Sequence, residues 1–397
     1  MRAAVVYAEF APRPGYELTE AEKKTRKVRE GNRVWKNPKL VLEDKPKPKP
    51  SPKEVLIRVK ACGICGSDIH FVETDEEGYM IYPGLTRFPV VIGHEFSGVV
   101  EEVGPRVQTL KPGDMVTSEE MLWCGECDAC RMGYVNHCIR LNDPADLEYG
   151  ELGFTTDGAM AEYVVVKEKY CWKIDSLLNQ YKSEEKAYEA GSLVEPTSVA
   201  YHAIFNRAGG FKPGAYVVVW GAGPIGLAAI GLAKAAGAGK VISFEISPVR
   251  IELAKVMGAD YVFNPVELQK KGIAPWEKIL EVTGGEGADL HVEAAGAPAH
   301  TLPQMQKSLA IGGKIAWIGR APKEVPIYLE IFQVRRAQLF GSQGHSGWGT
   351  FKNVIRLMAA GKIDMTKIIT SRFSLDDVLK AFERAHKRID GKITIKP

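Results

Sequence analysis

The chain has 397 residues, 45% hydrophobic and 25% charged, a balance that builds a globular core and excludes a disordered or fibrous chain. Its 52 basic and 49 acidic residues leave a net charge of +3, which gives no electrostatic case for nucleic acid or an anionic membrane as partner. No apolar run approaches the roughly 20 residues that cross a bilayer, the first residues lack a secretion signal, and the length calls for two domains in a reducing cytoplasm.

Residues 2–8 read as a short strand. Residues 9–38 are polar, and their charged middle, Glu20 to Glu30, suits one exposed helix that buries little and lies over the surface. Lys45 to Pro50 alternates lysine with proline and reads as an extended spacer. Runs at 54–60, 90–92, 97–103, from Met115 and at 161–166 are rich in β-branched residues, with glycine turns between them, and predict a compact, mostly β lobe. Residues 139–157 carry little periodicity and read as loop. The period changes after about residue 182. Helices at 183–190 and 196–206 precede an apolar strand, Tyr216 to Trp220, and a helix of small residues, Ile225 to Ala236. Strands at 241–244 and 261–263 flank a helix at 248–257, and further strands fall near 289–293 and 314–318. Such alternation of apolar strands and crossover helices is the mark of a parallel α/β sheet. Ser374 to His386 forms a capped amphipathic helix, and Gly391 to Lys396 alternates like an edge strand.

Three sets of residues carry chemistry. Cys124, Cys127, Cys130 and Cys138 are spaced to wrap four sulfurs around one tetrahedral ion. Zinc suits four thiolates best, and a site so closed serves structure, not catalysis. Gly221-Ala222-Gly223-Pro224-Ile225-Gly226 matches the dinucleotide fingerprint and stands between a strand and a helix, as that motif requires. Gly221 permits the tight turn, Gly223 lets backbone approach a pyrophosphate, and Gly226 allows close helix packing. Glu245 ends the next strand, where a carboxylate can accept from both ribose hydroxyls and repel a 2′-phosphate, so NAD is expected over NADP. Arg250 can lie along the adenosine rim. The third set is a second, open metal site. Cys62, Cys65, His70, His94, Glu95 and Glu195 are all candidate ligands, and spacing alone does not choose among them.

With C-G-S-D-I-H at 65–70, G-H-E at 93–95, the four-cysteine segment and the fingerprint in this order, the chain resembles the zinc-dependent medium-chain alcohol and polyol dehydrogenases over nearly its whole length. The resemblance implies two zinc ions per chain, one structural and one catalytic. It implies a GroES-like catalytic domain over residues 1–195, completed by 343–397, and a Rossmann NAD-binding domain over 196–342. Cys65 and His94 are then catalytic zinc ligands, with Glu195 or Glu95 third. Ser67 and His70 match proton-relay positions, and Asp68 matches the group that orients His94. The E-P pair at Glu195-Pro196 is similar to the sorbitol and threonine dehydrogenase branches, and the extra stretch near 11–37 and the acidic connection near 140–157 resemble inosose-oxidising members. The implied reaction moves hydride from a secondary alcohol of a cyclic polyol, scyllo-inosose or a related inositol, to NAD and leaves a ketone. Polar candidates for the substrate are Glu162, Gln343 and His345. Sorbitol, butanediol and L-threonine are the alternative substrates, and an inactive structural family member is the non-enzymatic alternative. The family also implies a homo-oligomer, dimer or tetramer.

Overall fold

The computed structural model describes residues 1–321 and 323–397. Strand Arg2–Phe10 pairs antiparallel with Trp35–Asp44 on one side and Val90–Val91 on the other. Beside this small sheet lies a larger one whose strands run, in spatial order, Cys171–Lys173, Met115–Ser118, Glu95–Val103, Glu54–Gly63, Lys392–Lys396 and Ile369–Ser374, with Tyr163–Lys167 also paired to Glu54–Gly63. Helix Val378–His386 closes one side through Val378, Ala381, Phe382 and Ala385, the i, i+3, i+4, i+7 face that an amphipathic helix buries.

Two expectations for this lobe need correction. The tail is not an edge strand. Lys392–Lys396 runs parallel to Ile369–Ser374 and antiparallel to Glu54–Gly63, so both its edges are hydrogen-bonded. Its alternating polar residues read as a solvent face, but Lys392 and Thr394 are buried. Nor does the polar N-terminal stretch bury little. Its helix is only Glu20–Thr25, closed by a capping box of Thr19 and Glu22. The remainder supplies strand Trp35–Asp44, and Trp35 is 1% exposed, edge-on to Phe10 and Phe88. Lys27 is buried as well, and its Nζ donates to the carbonyls of Asp146 at 2.7 Å and Tyr149 at 2.9 Å. A few anchors hidden in a polar composition thus tie this stretch to the loops around 80–88 and 143–149.

The second sheet has six parallel strands in the order Tyr261–Phe263, Lys240–Phe244, Tyr216–Trp220, Ala288–Glu293, Leu309–Trp317, Gln338–Gly341. In chain order that is 3-2-1-4-5-6, the doubly wound arrangement with its switch point between Tyr216–Trp220 and Ala288–Glu293. Val217, Val218 and Val219 are wholly buried because helices cover both faces. One apolar cluster runs from Ala61 and Met115 of the β lobe through helix Val194–Tyr201 to Val217 and Leu227 of the parallel sheet, so the lobes share a core.

Candidate active site and metal centres

The four cysteines converge. Cys124 Sγ lies 3.9 Å from Cys130 Sγ, and Cys127 Sγ lies 3.9 Å from Cys138 Sγ. Zinc–sulfur bonds of about 2.3 Å put tetrahedral sulfurs roughly 3.8 Å apart, so the spacing fits the ion. Backbone N–H groups of Glu126 and Cys127 donate to Cys124 Sγ, that of Cys124 to Cys138 Sγ, and that of Ile139 to Cys127 Sγ, all at 3.3–3.4 Å. Burial opposes ionisation of Cys127, but the backbone N–H groups of Cys130 and Ile139, with the neighbouring Cys130 and Cys124 thiols, outweigh it and bring its thiol down to about 6. None of the seven cysteines is in a disulfide.

The second donor set lies in the β lobe. Cys65 caps helix Gly66–Val72, and its N–H donates to Asp68 Oδ2 at 2.8 Å. His94 follows a turn at Gly93, whose φ is +90° and where a Cβ would stand 2.8 Å from Cys62 Sγ; only glycine brings the imidazole round at that point. Glu95 opens strand Glu95–Val103 opposite Gly63. The ligand atoms of Cys65, His94 and Glu95 all lie within 4.8 Å of one another. Thiolate, imidazole and carboxylate leave a fourth position free, as a catalytic zinc requires. Asp68 Oδ1 stands 3.8 Å from His94 Nδ1, and although burial works against the imidazolium, this carboxylate raises His94 well above its usual range. Glu95 is ion-paired with Lys392, which was not foreseen, and both are buried. Ser67 Oγ is buried without a hydrogen-bond partner among the described residues. His70 is partly exposed and faces Glu73 at 3.9 Å.

Glu195 belongs to a neighbouring group. It sits in the first turn of helix Val194–Tyr201, and its Oε1 is 3.0 Å from His345 Nε2, which is also 3.2 Å from Glu120 Oε2. Burial opposes a charged His345, yet the two carboxylates raise it to about 10. Burial pushes Glu151, next to this group, up to about 8, and the charge of Glu120 adds to the effect. His345 thus joins the site as a polar candidate, and Gln343 lines the cleft. Glu162 stands apart, its carboxylate accepting from the Arg2 N–H at 2.8 Å. Glu120 and Lys392 lie in no motif, and only the tertiary fold brings them here.

At the switch point, Gly221 has φ +83°, and a Cβ there would meet Ala295 Cα at 2.8 Å. Gly226 packs against the Gly221 carbonyl. Gly223 is different. A Cβ on it would meet nothing nearer than Arg250 Nη1 at 3.9 Å, so the backbone there is bared for a ligand. Pro224 begins the 12-residue helix Pro224–Ala235, whose unpaired N–H groups suit a pyrophosphate, and Ile225 packs on its core side. Glu245 Oε2 accepts from Ala222 N–H at 2.7 Å, and Oε1 from Ile246 and Ser247 N–H at 2.7 and 2.8 Å, which holds the carboxylate beside the glycine turn. Arg250 Nε donates to the Asp390 carbonyl at 3.0 Å. A cavity of about 660 Å³, lined by Asn136, His202, Arg320 and Gln343 among others, opens between the lobes at the carboxyl ends of the parallel strands.

Hydride transfer from an alcohol needs a nicotinamide laid at the ends of a doubly wound sheet and an electrophile to draw the proton off oxygen. This cleft provides for both, and its class is that of a zinc- and NAD-dependent oxidoreductase. Comparison with known proteins agrees. Residues 51–176 match the alcohol dehydrogenase GroES-like domain and residues 224–360 the zinc-binding dehydrogenase family. The chain is 47% identical to scyllo-inosose 3-dehydrogenase of Thermotoga maritima, covering 97% of this chain and 96% of that one. It is 36% identical to L-threonine 3-dehydrogenase of Pyrococcus horikoshii, covering 89% and 93%. A solved structure from Thermotoga maritima, described as an alcohol dehydrogenase, superposes with a TM-score of 0.94 at 45% identity over 100% of both chains. The chain belongs to the zinc-dependent medium-chain dehydrogenase family. No helix among the described residues is long and apolar enough to cross a membrane.

Proposed function

We propose that the protein oxidises a secondary hydroxyl of a cyclic polyol, scyllo-inosose or a related inositol, to a ketone with NAD. The observation that carries this reading is the reach of the likeness to the scyllo-inosose enzyme. It extends over 395 residues, against 356 for the threonine enzyme.

In this reading Cys65, His94 and either Glu95 or Glu195 hold the catalytic zinc, while Cys124, Cys127, Cys130 and Cys138 hold the structural one. The catalytic ion, when bound, supplies a Lewis acid that lowers the pKa of the substrate hydroxyl. Ser67 Oγ, without a hydrogen-bond partner among the described residues, accepts the hydroxyl proton as it releases its own, and His70 passes a proton on towards Glu73 and solvent. Asp68 keeps the His94 ring in place. Gly221, Gly223, Pro224, Ile225 and Gly226 cradle the pyrophosphate, Glu245 receives the adenosine ribose, and Arg250 borders it. NAD, when bound, is the hydride acceptor. Residues 1–195 with 343–397 act as the catalytic lobe and 196–342 as the nucleotide lobe.

Strand Gln338–Gly341 is one of the two edge strands of the parallel sheet, and Leu329, Val334 and Leu339 beside it are exposed. An open apolar edge of this kind supports a homo-oligomer, dimer or tetramer, formed across it. Seven cysteines without a disulfide support a cytoplasmic protein.

The test is a panel of initial rates with NAD on scyllo-inosose, myo-inositol, sorbitol, 2,3-butanediol and L-threonine. A cyclitol is expected to lead. If sorbitol or threonine outpaces both cyclitols by more than about tenfold, roughly 1.4 kcal/mol in the barrier, the cyclitol assignment fails.

A further inference from the structure

Glu120 has no role in the reading above and His345 only that of a polar candidate, although both are buried against Glu195. Their geometry is built, not incidental. His345 Nε2 faces two carboxylate oxygens at once, Glu195 Oε1 at 3.0 Å and Glu120 Oε2 at 3.2 Å. A carboxylate offers about four lone-pair sites, yet among the described residues the Glu120 carboxylate has this one hydrogen bond. The Glu120 side chain keeps 10% exposure, so its remaining acceptor sites stay open to a ligand that brings donors.

The loop that carries the imidazole is pinned. The backbone N–H groups of His345 and Ser346 both donate to Asn136 Oδ1, at 3.2 and 2.9 Å, and Asn136 Nδ2 donates to the Ser346 carbonyl at 3.2 Å. Gly344 makes room for this. Its φ is +76°, and a Cβ there would come within 2.5 Å of Asn136 Oδ1. Asn136 belongs to the turn Val135–His137, between Cys130 and Cys138. The four-cysteine segment therefore clamps the loop that carries His345, beside Gln343 and Asn136 of the cleft wall.

We infer that Glu120 and His345 are specificity-determining residues that select a neutral, polyhydroxylated ring, with Asn136 as their positioning residue. Glu120 accepts from hydroxyls beside the reacting carbon, and His345 fixes the direction in which Glu120 and Glu195 present their free oxygens. A substrate with one hydroxyl leaves those acceptors unpaired, and a substrate bearing carboxylate or phosphate meets like charge. This inference rests on the polyol reading given above and adds the residues that enforce it.

The experiment compares kcat/KM with NAD for myo-inositol and for cyclohexanol, a ring of the same size with one hydroxyl, in the wild type and in E120Q, H345Q and N136A, with zinc content measured in each. E120Q and H345Q are expected to lose roughly 10- to 100-fold more on myo-inositol than on cyclohexanol, the scale of a charged hydrogen bond removed, with two zinc ions per chain retained. N136A should shift the same ratio in the same direction. Equal losses on both substrates, or loss of a zinc ion from E120Q or H345Q, would make the cluster structural or metal-binding and overturn the inference. If the wild type does not prefer the cyclitol, the polyol reading fails and takes this inference with it. If the wild type prefers it and E120Q keeps that preference, only the assignment of Glu120 and His345 falls.

Discussion

Replacing Lys392 by methionine removes the cation that faces Glu95 while keeping most of the side chain's volume. Lys392 is 2% exposed and Glu95 1%, and Lys392 Nζ also donates to the Ile64 carbonyl at 3.0 Å. Water cannot replace the ammonium there. Breaking a buried pair by removing one partner costs about 3–5 kcal/mol, because the remaining charge stays uncompensated. Burial already raises the Glu95 carboxyl, with Lys392 as the chief opposing influence, so K392M should drive Glu95 towards its protonated form at neutral pH. At about 2–4 °C per kcal/mol for a domain of this size, the catalytic lobe should melt roughly 6–20 °C lower. Calorimetry at fixed zinc concentration measures the shift. The double variant E95Q/K392M, which removes both charges, should recover most of the loss. A K392M midpoint within about 2 °C of the wild type, or losses in the double variant that simply add, would refute the argument that the pair is desolvated and coupled.

Cys127→Ala should remove one zinc ion per chain by elemental analysis. Because the same segment carries Asn136 to the His345 loop, activity should fall with it although the Cys65 site is untouched. Acid should destabilise the nucleotide lobe in a defined window. His291 is fully buried, its Nδ1 accepting from Trp220 Nε1 at 3.1 Å, and burial holds it down to about 3. Its folded value lies below the unfolded one near 6.5, so its contribution is complete above about pH 6.5 and is lost as pH falls towards 3. H291N should therefore flatten the decline of the melting temperature between pH 6.5 and 4, and an unchanged slope would count against a neutral buried imidazole.

What the sequence made legible follows local pattern. The fingerprint, the βα alternation and the four cysteines are each encoded within short windows, and the parallel sheet and the sulfur cluster formed as their spacing indicates. Residues joined only by long-range pairing were not legible. Lys392 reads as one polar position in an alternating tail until strand Lys392–Lys396 is placed between two others. Glu120 precedes the cysteines without a motif of its own, and Trp35 and Lys27 are single anchors in a polar stretch.

The central claim, that hydride transfer depends on an open zinc site distinct from the four-cysteine site, is tested most directly by Cys65→Ser. Zinc per chain and NADH formation from a cyclitol are measured on the same folded sample. The expected result is two ions in the wild type, one in the variant, an unchanged circular dichroism spectrum and no detectable turnover. A variant that keeps two ions and wild-type turnover would contradict the account.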